Sequence, residues 1–493
     1  MELKTKLLKW SAGLPVAMLN ETTANKIGVH AQERILLQTT SRPPKSLATI
    51  VDIVGDLVKK KEVLVSSELK TRLGLKIGQK VEVFLAPSPQ SMIYIQKKLN
   101  KHTLNKKEIK SIISDVVNNS LSDAEISLFV SAMYEEGMSL KETIFLVEAI
   151  LETGNKLKLK QNLIVDKHSI GGIPGNRTTP LVVAICATAG LIMPKTSSRA
   201  ITSAAGTADV IETIARVDFS IDELEKIIKK TNACMVWGGA LGLVPADSRI
   251  IHVEKLLKID PESQLLASIM SKKLAVGSKY VLIDIPYGKG AKVDKQKALK
   301  LKRKFELLGK HFKIKIKVVL TKGFQPIGNG IGPALELKDI LKILDPEQSG
   351  PRDLEDKSIF LAGQIFELVG KTKKGKGSAM AMDILDSGKA YEKFKEIIRE
   401  QKGMLCEIPL AKYKKDIFVK KAGKITEINN KKIASLAKIA GCPTDKAAGL
   451  YLYSHVGAEV TKKQKLLTIY ADSLPRLKEA IKFLKCSNPI KIV

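Results

Sequence analysis

The sequence predicts a multidomain α/β protein. A domain with a mainly parallel sheet is preceded by a small N-terminal β-rich barrel-like domain and a helical jaw, and is followed by a C-terminal α+β barrel-sandwich-like domain. Three observations predict it. Strand-like and helix-like stretches alternate from Leu163 to about Leu320, which implies right-handed crossovers in a parallel sheet. Helix-only patterns precede that stretch and interrupt it between Pro245 and Gly277. Short β-branched runs separated by turns occupy both ends of the chain.

At the amino end, Arg34–Gln38, Ala48–Asp52, Val63–Ser67 and Val81–Phe84 read as strands, with a short helix from Glu68 to Leu75. The pattern is similar to small swapped-hairpin barrels, and the stretch Ala86 to Ser91 supplies a linker. From Leu104 the period becomes helical. Asn105 heads one helix, and Ser122–Glu125 and Ser139–Glu142 are capping boxes ahead of apolar faces. Leu163–Asp166, Ile192–Pro194, Cys234–Trp237, Tyr280–Asp284 and Ile314–Leu320 are the expected strands of the sheet. Beyond about Leu405, Gly423–Ile428 and Leu466–Tyr470 frame a module that looks like the barrel-sandwich of biotinyl carriers, without a lysine context for a prosthetic group.

Composition excludes several classes. A chain of 493 residues is long enough for more than one core. The net charge of +31 comes from lysine scattered over exposed helices and turns, and no basic stretch interleaves aromatic rings, so no nucleic acid partner is expected. The longest uncharged run, Thr178 to Pro194, is too short and too rich in Gly, Pro and Thr for a membrane span. The opening MELKTKLLKWSAGLP lacks the core of a signal peptide, so a cytoplasmic protein with no membrane partner is expected. Cys186, Cys234, Cys406, Cys442 and Cys486 form no Cys-x-x-Cys pair and, with scattered histidines, no zinc spacing. Reduced thiols and no metal are the expectation.

The run from Asp166 to Asp209 carries the chemistry. It reads DKHSIGGIPGNRTT, an uncharged segment of helix length from Thr178 to Leu191, then KTSSRAITSAAGTAD. A strand, a glycine turn and a helix in that order aim backbone N–H groups and a helix N-terminus at whatever occupies the turn. Lys167, Ser169, Arg177, Thr178 and Thr179 add cationic and hydroxyl donors, and no carboxylate lies between Asp166 and Asp209. The spacing is neither a P-loop nor a dinucleotide fingerprint. Two donor-rich loops joined by one short crossover make two walls of a phosphate and sugar site.

These residues resemble the pyrimidine-nucleoside phosphorylase family. Its first loop is matched by Asp166-Lys167-His168-Ser169-Ile170-Gly171-Gly172, and its second by Ser197-Ser198-Arg199 and Gly206-Thr207-Ala208-Asp209. The wording between them resembles the archaeal-type branch, which includes enzymes that cleave AMP. The resemblance spans essentially the whole chain. It implies domains at 1–90 (assembly), 91–160 with 245–276 (helical), 161–244 with 277–403 (phosphate-binding α/β) and 404–493 (C-terminal).

It also implies a reaction: AMP plus inorganic phosphate, a co-substrate, giving adenine and ribose 1,5-bisphosphate with no cofactor, in a homodimer or larger homo-oligomer. Phosphate contacts fall on Lys167, Ser169 and Thr207, with Thr179 or Thr178 as the further first-loop contact. Nucleotide contacts fall on Gly172, Ser198, Arg199, Ala200, Ile201, Thr202, Ser203, Thr207, Ser268, Lys272 and Lys292. Asp260 matches the branch's proton donor, with helix capping through Asp260-Pro261 as the plain alternative. The resemblance also makes His168, beside the phosphate ligands, a catalytic residue in direct contact with substrate, its protonation state open. Arg199 has two roles open to it, a partner for the substrate's 5′-phosphate or a brace for the second loop. Val253 stands where thymidine enzymes place a base-holding arginine, which argues against thymidine specificity. The rival functions are a thymidine or pyrimidine-nucleoside phosphorylase and a non-catalytic nucleotide sensor.

Overall fold

The computed structural model describes residues 1–8, 15–159, 163–200, 203–239, 241–405, 408–409 and 411–493. They form two compact units, 1–155 with 243–271 and 156–242 with 272–493.

In the first unit, six strands close into a barrel in the order Glu2–Leu7, Glu62–Val65, Ala17–Asn20, Ser46–Val54, Arg34–Thr39, Lys80–Leu85. Alternation puts Leu3, Leu19, Ile35, Leu37, Val63 and Val81 inside. Glu2–Leu7 and Ala17–Asn20 escape the sequence reading, because one is half lysine and glutamate and the other has four residues. The capping boxes at Ser122 and Ser139 form as expected, heading Asp123–Glu135 and Leu140–Glu152, and Asn105 heads Lys106–Asn118 with a further box that includes Glu108. Arg34 of the barrel ties to this bundle through the Ser120 carbonyl and Glu125. The helix-only interruption is also present, as Pro245–Leu257 and Glu262–Ala275.

The second unit is built on five parallel strands: β1 (Val165–Ser169), β2 (Met193–Ser197), β3 (Ala233–Trp237), β4 (Tyr280–Tyr287) and β5 (Lys315–Lys322). β5, β4 and β1 pair in that order, β2 pairs with β3, and a parallel bridge from Ile164 to Ile192 joins the two groups. The chain runs outward from β1 through β2 to β3, then returns to lay β4 on the opposite side of β1. That reversal makes the C-terminal ends of β1 and β4 a topological switch point, where α/β sheets leave a crevice for ligands. Helix α1 (Thr178–Thr188) follows β1 and is buried from Thr178 to Ala187, which accounts for its lack of charge. Three further helices bear on the site: α2 (Thr207–Ile211), α3 (Pro333–Leu344) and α4 (Arg352–Val369).

Several strand ends run beyond the sequence reading: β4 continues past Asp284 to Tyr287, β5 past Leu320 to Lys322, and two more take in site residues. β1 does not stop at Asp166 but continues through Lys167, His168 and Ser169, which pair with Leu282, Ile283 and Asp284 of β4. β2 likewise takes in Lys195, Thr196 and Ser197, opposite Met235, Val236 and Trp237. In both places polar residues signal a loop, but the ladder and buried partners hold them extended.

The C-terminal segment adds a four-stranded sheet, in the order Gly330–Ile331, Gly449–Leu452, Lys465–Ala471, Tyr413–Phe418. Gly423–Ile428 pairs with Glu459–Val460 and Ile490–Ile492, and helices Asn430–Ala440 and Leu474–Ser487 pack over a separate apolar core. Cys186, Cys234 and Cys442 are buried free thiols and Cys486 is exposed, while Cys406 lies outside the described residues. Among the described residues, no helix is long and apolar enough to cross a membrane.

Candidate active site

The carboxyl end of β1 puts charge into the interior. Lys167 is 1% exposed, and its Nζ donates to Thr178 Oγ1 at 2.6 Å and to Thr179 Oγ1 at 3.4 Å. Both threonines open α1, so the ammonium lies beside hydroxyls at a helix N-terminus. Asp166, one residue earlier, receives Lys273 Nζ at 2.6 Å and lies 3.5 Å from Lys195 Nζ. Asp284 of β4 accepts from Thr321 at 2.6 Å and pairs with Lys357 of α4 at 3.1 Å. Among the described residues of this cluster, Lys167, Lys195, Lys273 and Lys357 thus face only Asp166 and Asp284. Buried charge without a counter-charge is costly, so the surplus favours an anionic ligand.

Burial and the neighbouring lysines act together on the titrations. Burial pulls Lys167 down to about 7, against the pull of Asp284 and with the help of Lys357, Lys195 and Arg177. Lys273 is drawn down to about 7 by burial, against Asp166. Burial works to raise the Asp284 carboxyl, but Lys357, Lys167 and the Thr321 hydroxyl hold it below its ordinary value. His168 is held well below its ordinary value by burial and by Lys273, Lys195, Lys272 and Lys167. It is therefore a neutral imidazole near pH 7, suited to hydrogen bonding rather than to delivering a proton.

The first loop turns sharply at Gly172, whose φ of +91° suits glycine, and a Cβ there would come within 3.0 Å of Lys292 Cβ. This contact brings Gly172 and Lys292 together at the switch point. Ser169 stays within reach of the loop, with Asn176 Nδ2 at 3.5 Å from its hydroxyl.

The second loop is closed by its own acid. Asp209 Oδ2 accepts from both Ala200 N and Gly206 N at 2.7 Å. A Cβ on Gly206 would fall 2.4 Å from the Ser198 carbonyl, so only glycine lets the two ends of the loop touch. Ser203 donates to the Ala205 carbonyl at 2.6 Å, and Ser198 is exposed. Ile201 and Thr202 lie outside the described residues. The Arg199 guanidinium is engaged with both oxygens of Glu212 and stacks 4.8 Å over Trp237. Lys446 of the C-terminal segment reaches the same Glu212 at 2.7 Å. The Arg199 bond, then Lys446, draw Glu212 down to about 2 against its burial.

On the second unit, Lys167 thus meets Thr178 and Thr179, Ser169 faces Asn176, Thr207 is bonded to Arg177 of the first loop, and Gly172 lies against Lys292. Asp260 and Ser268 belong to the first unit, while Lys272 lies in the second on the same helix as Ser268. Val253 is fully buried in Pro245–Leu257. Sequence reasoning missed Lys195, Lys273, Asp284, Glu336 and Lys357. For Asp284 a signal existed, a carboxylate inside an otherwise apolar strand. The lysines gave none, since lysine is everywhere in this chain.

Comparison with known proteins finds relatives along the whole chain. Residues 161–391 match the glycosyl transferase family a/b domain, residues 93–154 its helical bundle domain, and residues 424–491 the pyrimidine nucleoside phosphorylase C-terminal domain. A protein of Pyrococcus horikoshii named AMP phosphorylase is 45% identical over 497 residues, covering 100% of this chain and 98% of that one. One of Methanococcus aeolicus with the same name is 43% identical, over 99% of this chain and 97% of its own. Among solved structures, anthranilate phosphoribosyltransferase from Thermus thermophilus shares the fold, with a TM-score of 0.53 at 18% identity over 63% of this chain and 99% of that one. With relatives this similar along its full length, the chain belongs to the pyrimidine-nucleoside phosphorylase family, on the side of the AMP phosphorylases.

Proposed function

We propose that this protein catalyses the phosphorolysis of AMP, yielding adenine and ribose 1,5-bisphosphate. The observation that carries the reading is the buried surplus of lysine around Lys167, bonded to Thr178 at the start of α1, in a chain whose full-length relatives are named AMP phosphorylase.

In this reading, inorganic phosphate rests on Lys167, Ser169, Thr179 and Thr207 and attacks the anomeric carbon. The C1′–N bond breaks as the new C1′–O bond forms, through a transition state with oxocarbenium character. The bonding pair leaves with the base, and Asp260 supplies the proton to a ring nitrogen. Neutral His168 donates or accepts a hydrogen bond but carries no charge to the base. Gly172, the second loop from Ser198 to Ser203, Ser268, Lys272 and Lys292 hold the nucleotide. Fixing an oxyanion in a dry, cation-rich site supplies electrostatic stabilisation that water cannot.

The test is to incubate the protein with phosphate and AMP, CMP, UMP, adenosine or thymidine in turn, and to identify the released base and sugar phosphate. Adenine with ribose 1,5-bisphosphate from AMP is expected. Thymine release with no monophosphate cleaved would replace this reading with a nucleoside phosphorylase.

A further inference from the structure

Arg177 is where the first loop, the second loop and α3 meet. Its Nε donates to Glu336 Oε2 at 2.7 Å, one terminal nitrogen to Thr207 Oγ1 at 3.0 Å, and the other to the Ala205 carbonyl at 2.6 Å. The side chain is 11% exposed and that of Glu336 only 1%. Glu336 is itself fixed in the first turn of α3, where Oε1 accepts from Gly332 N at 3.1 Å. Each face of the guanidinium fork is thus used by a different element.

The bond to Thr207 has a direction. A guanidinium has donors and no acceptor, so Thr207 Oγ1 must accept from it. The one proton of the hydroxyl then points elsewhere and remains available to an anion. Meanwhile the bond to Ala205 pins the second loop at a fixed distance from the first. Lysine could not do the same, because a point charge on a flexible stem cannot serve three acceptors in one plane.

We propose that Arg177 is a positioning residue for the phosphate co-substrate, setting the donor polarity of Thr207 and locking the two loops together. It acts through Thr207 and not as a ligand of the anion. The proposal rests on the phosphorolysis reading for its ligand but not for its geometry. It is therefore tested by phosphate binding alone.

The experiment is calorimetric titration of the full chain with inorganic phosphate, without nucleotide. Losing a charge-assisted hydrogen-bond network should weaken phosphate by ~10–100-fold in Arg177→Lys and Arg177→Ala. Thr207→Val should weaken it comparably, and Arg177→Ala combined with Thr207→Val should be no worse than the poorer single variant, since both remove one route. Added guanidinium should restore affinity in Arg177→Ala and not in Thr207→Val. Glu336→Gln, which keeps the volume and loosens the fork, should shift affinity the same way by less, and it carries the test with Arg177→Lys if Arg177→Ala fails to fold. Wild-type affinity in Arg177→Lys, or additive losses in the double variant, would overturn the proposal. Adenine release from AMP is assayed separately. Its absence with phosphate binding intact would remove the substrate reading and leave this one standing.

Discussion

Lys273 and Asp166 meet at 2.6 Å with neither side chain exposed. Removing one member of such a pair strands the other charge in the interior, so Lys273→Met should cost ~3–5 kcal/mol in denaturant unfolding. Adding Asp166→Asn should recover part of that loss. An unchanged unfolding midpoint in Lys273→Met would mean that Lys195, 3.5 Å from Asp166, suffices alone.

That pair also marks the limit of what the sequence discloses. Alternation around Leu163–Leu320, the capping boxes at Ser122 and Ser139, and the glycine turn at Gly172 are local signals, and each appears where local chemistry puts it. Pairing partners are not local. Lys167 and Lys195 read as loop residues because only β4 and β3 hold them extended. Lys273, Asp284, Glu336 and Lys357 become part of the site only when strands and helices far apart in the chain converge. The run between Asp166 and Asp209 is free of acid, yet the folded site is not, since Asp284 and Glu336 enter from elsewhere.

Phosphate binding should take up a proton above neutral pH. Burial holds the free Lys167 at about 7, below its ordinary 10.5, and a bound anion favours the charged form. Above about 7 the complex therefore holds more of this proton than the free protein does, so affinity falls as pH rises. Titrations in buffers of different ionisation enthalpy should reveal the uptake near pH 8. The same group has a stability consequence of opposite slope. From about 7 to 10.5 the unfolded chain binds more protons at this lysine, so its penalty on the phosphate-free fold is relieved as pH rises. Buffer-independent binding heats would show that Lys167 stays charged throughout.

Arg199 should behave as a brace. Both terminal nitrogens already serve Glu212, which Lys446 also holds. Arg199→Met is therefore expected to slow AMP and adenosine cleavage together, leaving their ratio unchanged. A residue gripping the 5′-phosphate would instead lose AMP selectively, by ~10–100-fold for a charge-assisted contact. Steady-state kinetics on the two substrates decides between them.

Asp260 offers the cleanest separation of chemistry from architecture. The Pro261 carbonyl takes the first helical bond, from Leu265 N at 2.9 Å, so Asp260 stands one residue ahead of the cap of Glu262–Ala275. Asparagine serves helix starts about as well as aspartate, so Asp260→Asn should leave the unfolding midpoint unchanged. It cannot give up a proton to a departing base. Turnover of AMP is therefore expected to drop ~10²–10⁴-fold while KM for AMP changes little, the split expected when an interaction made only in the transition state is lost. If kcat survives in Asp260→Asn, another group must protonate the base, and neutral His168 is poorly suited to be that group.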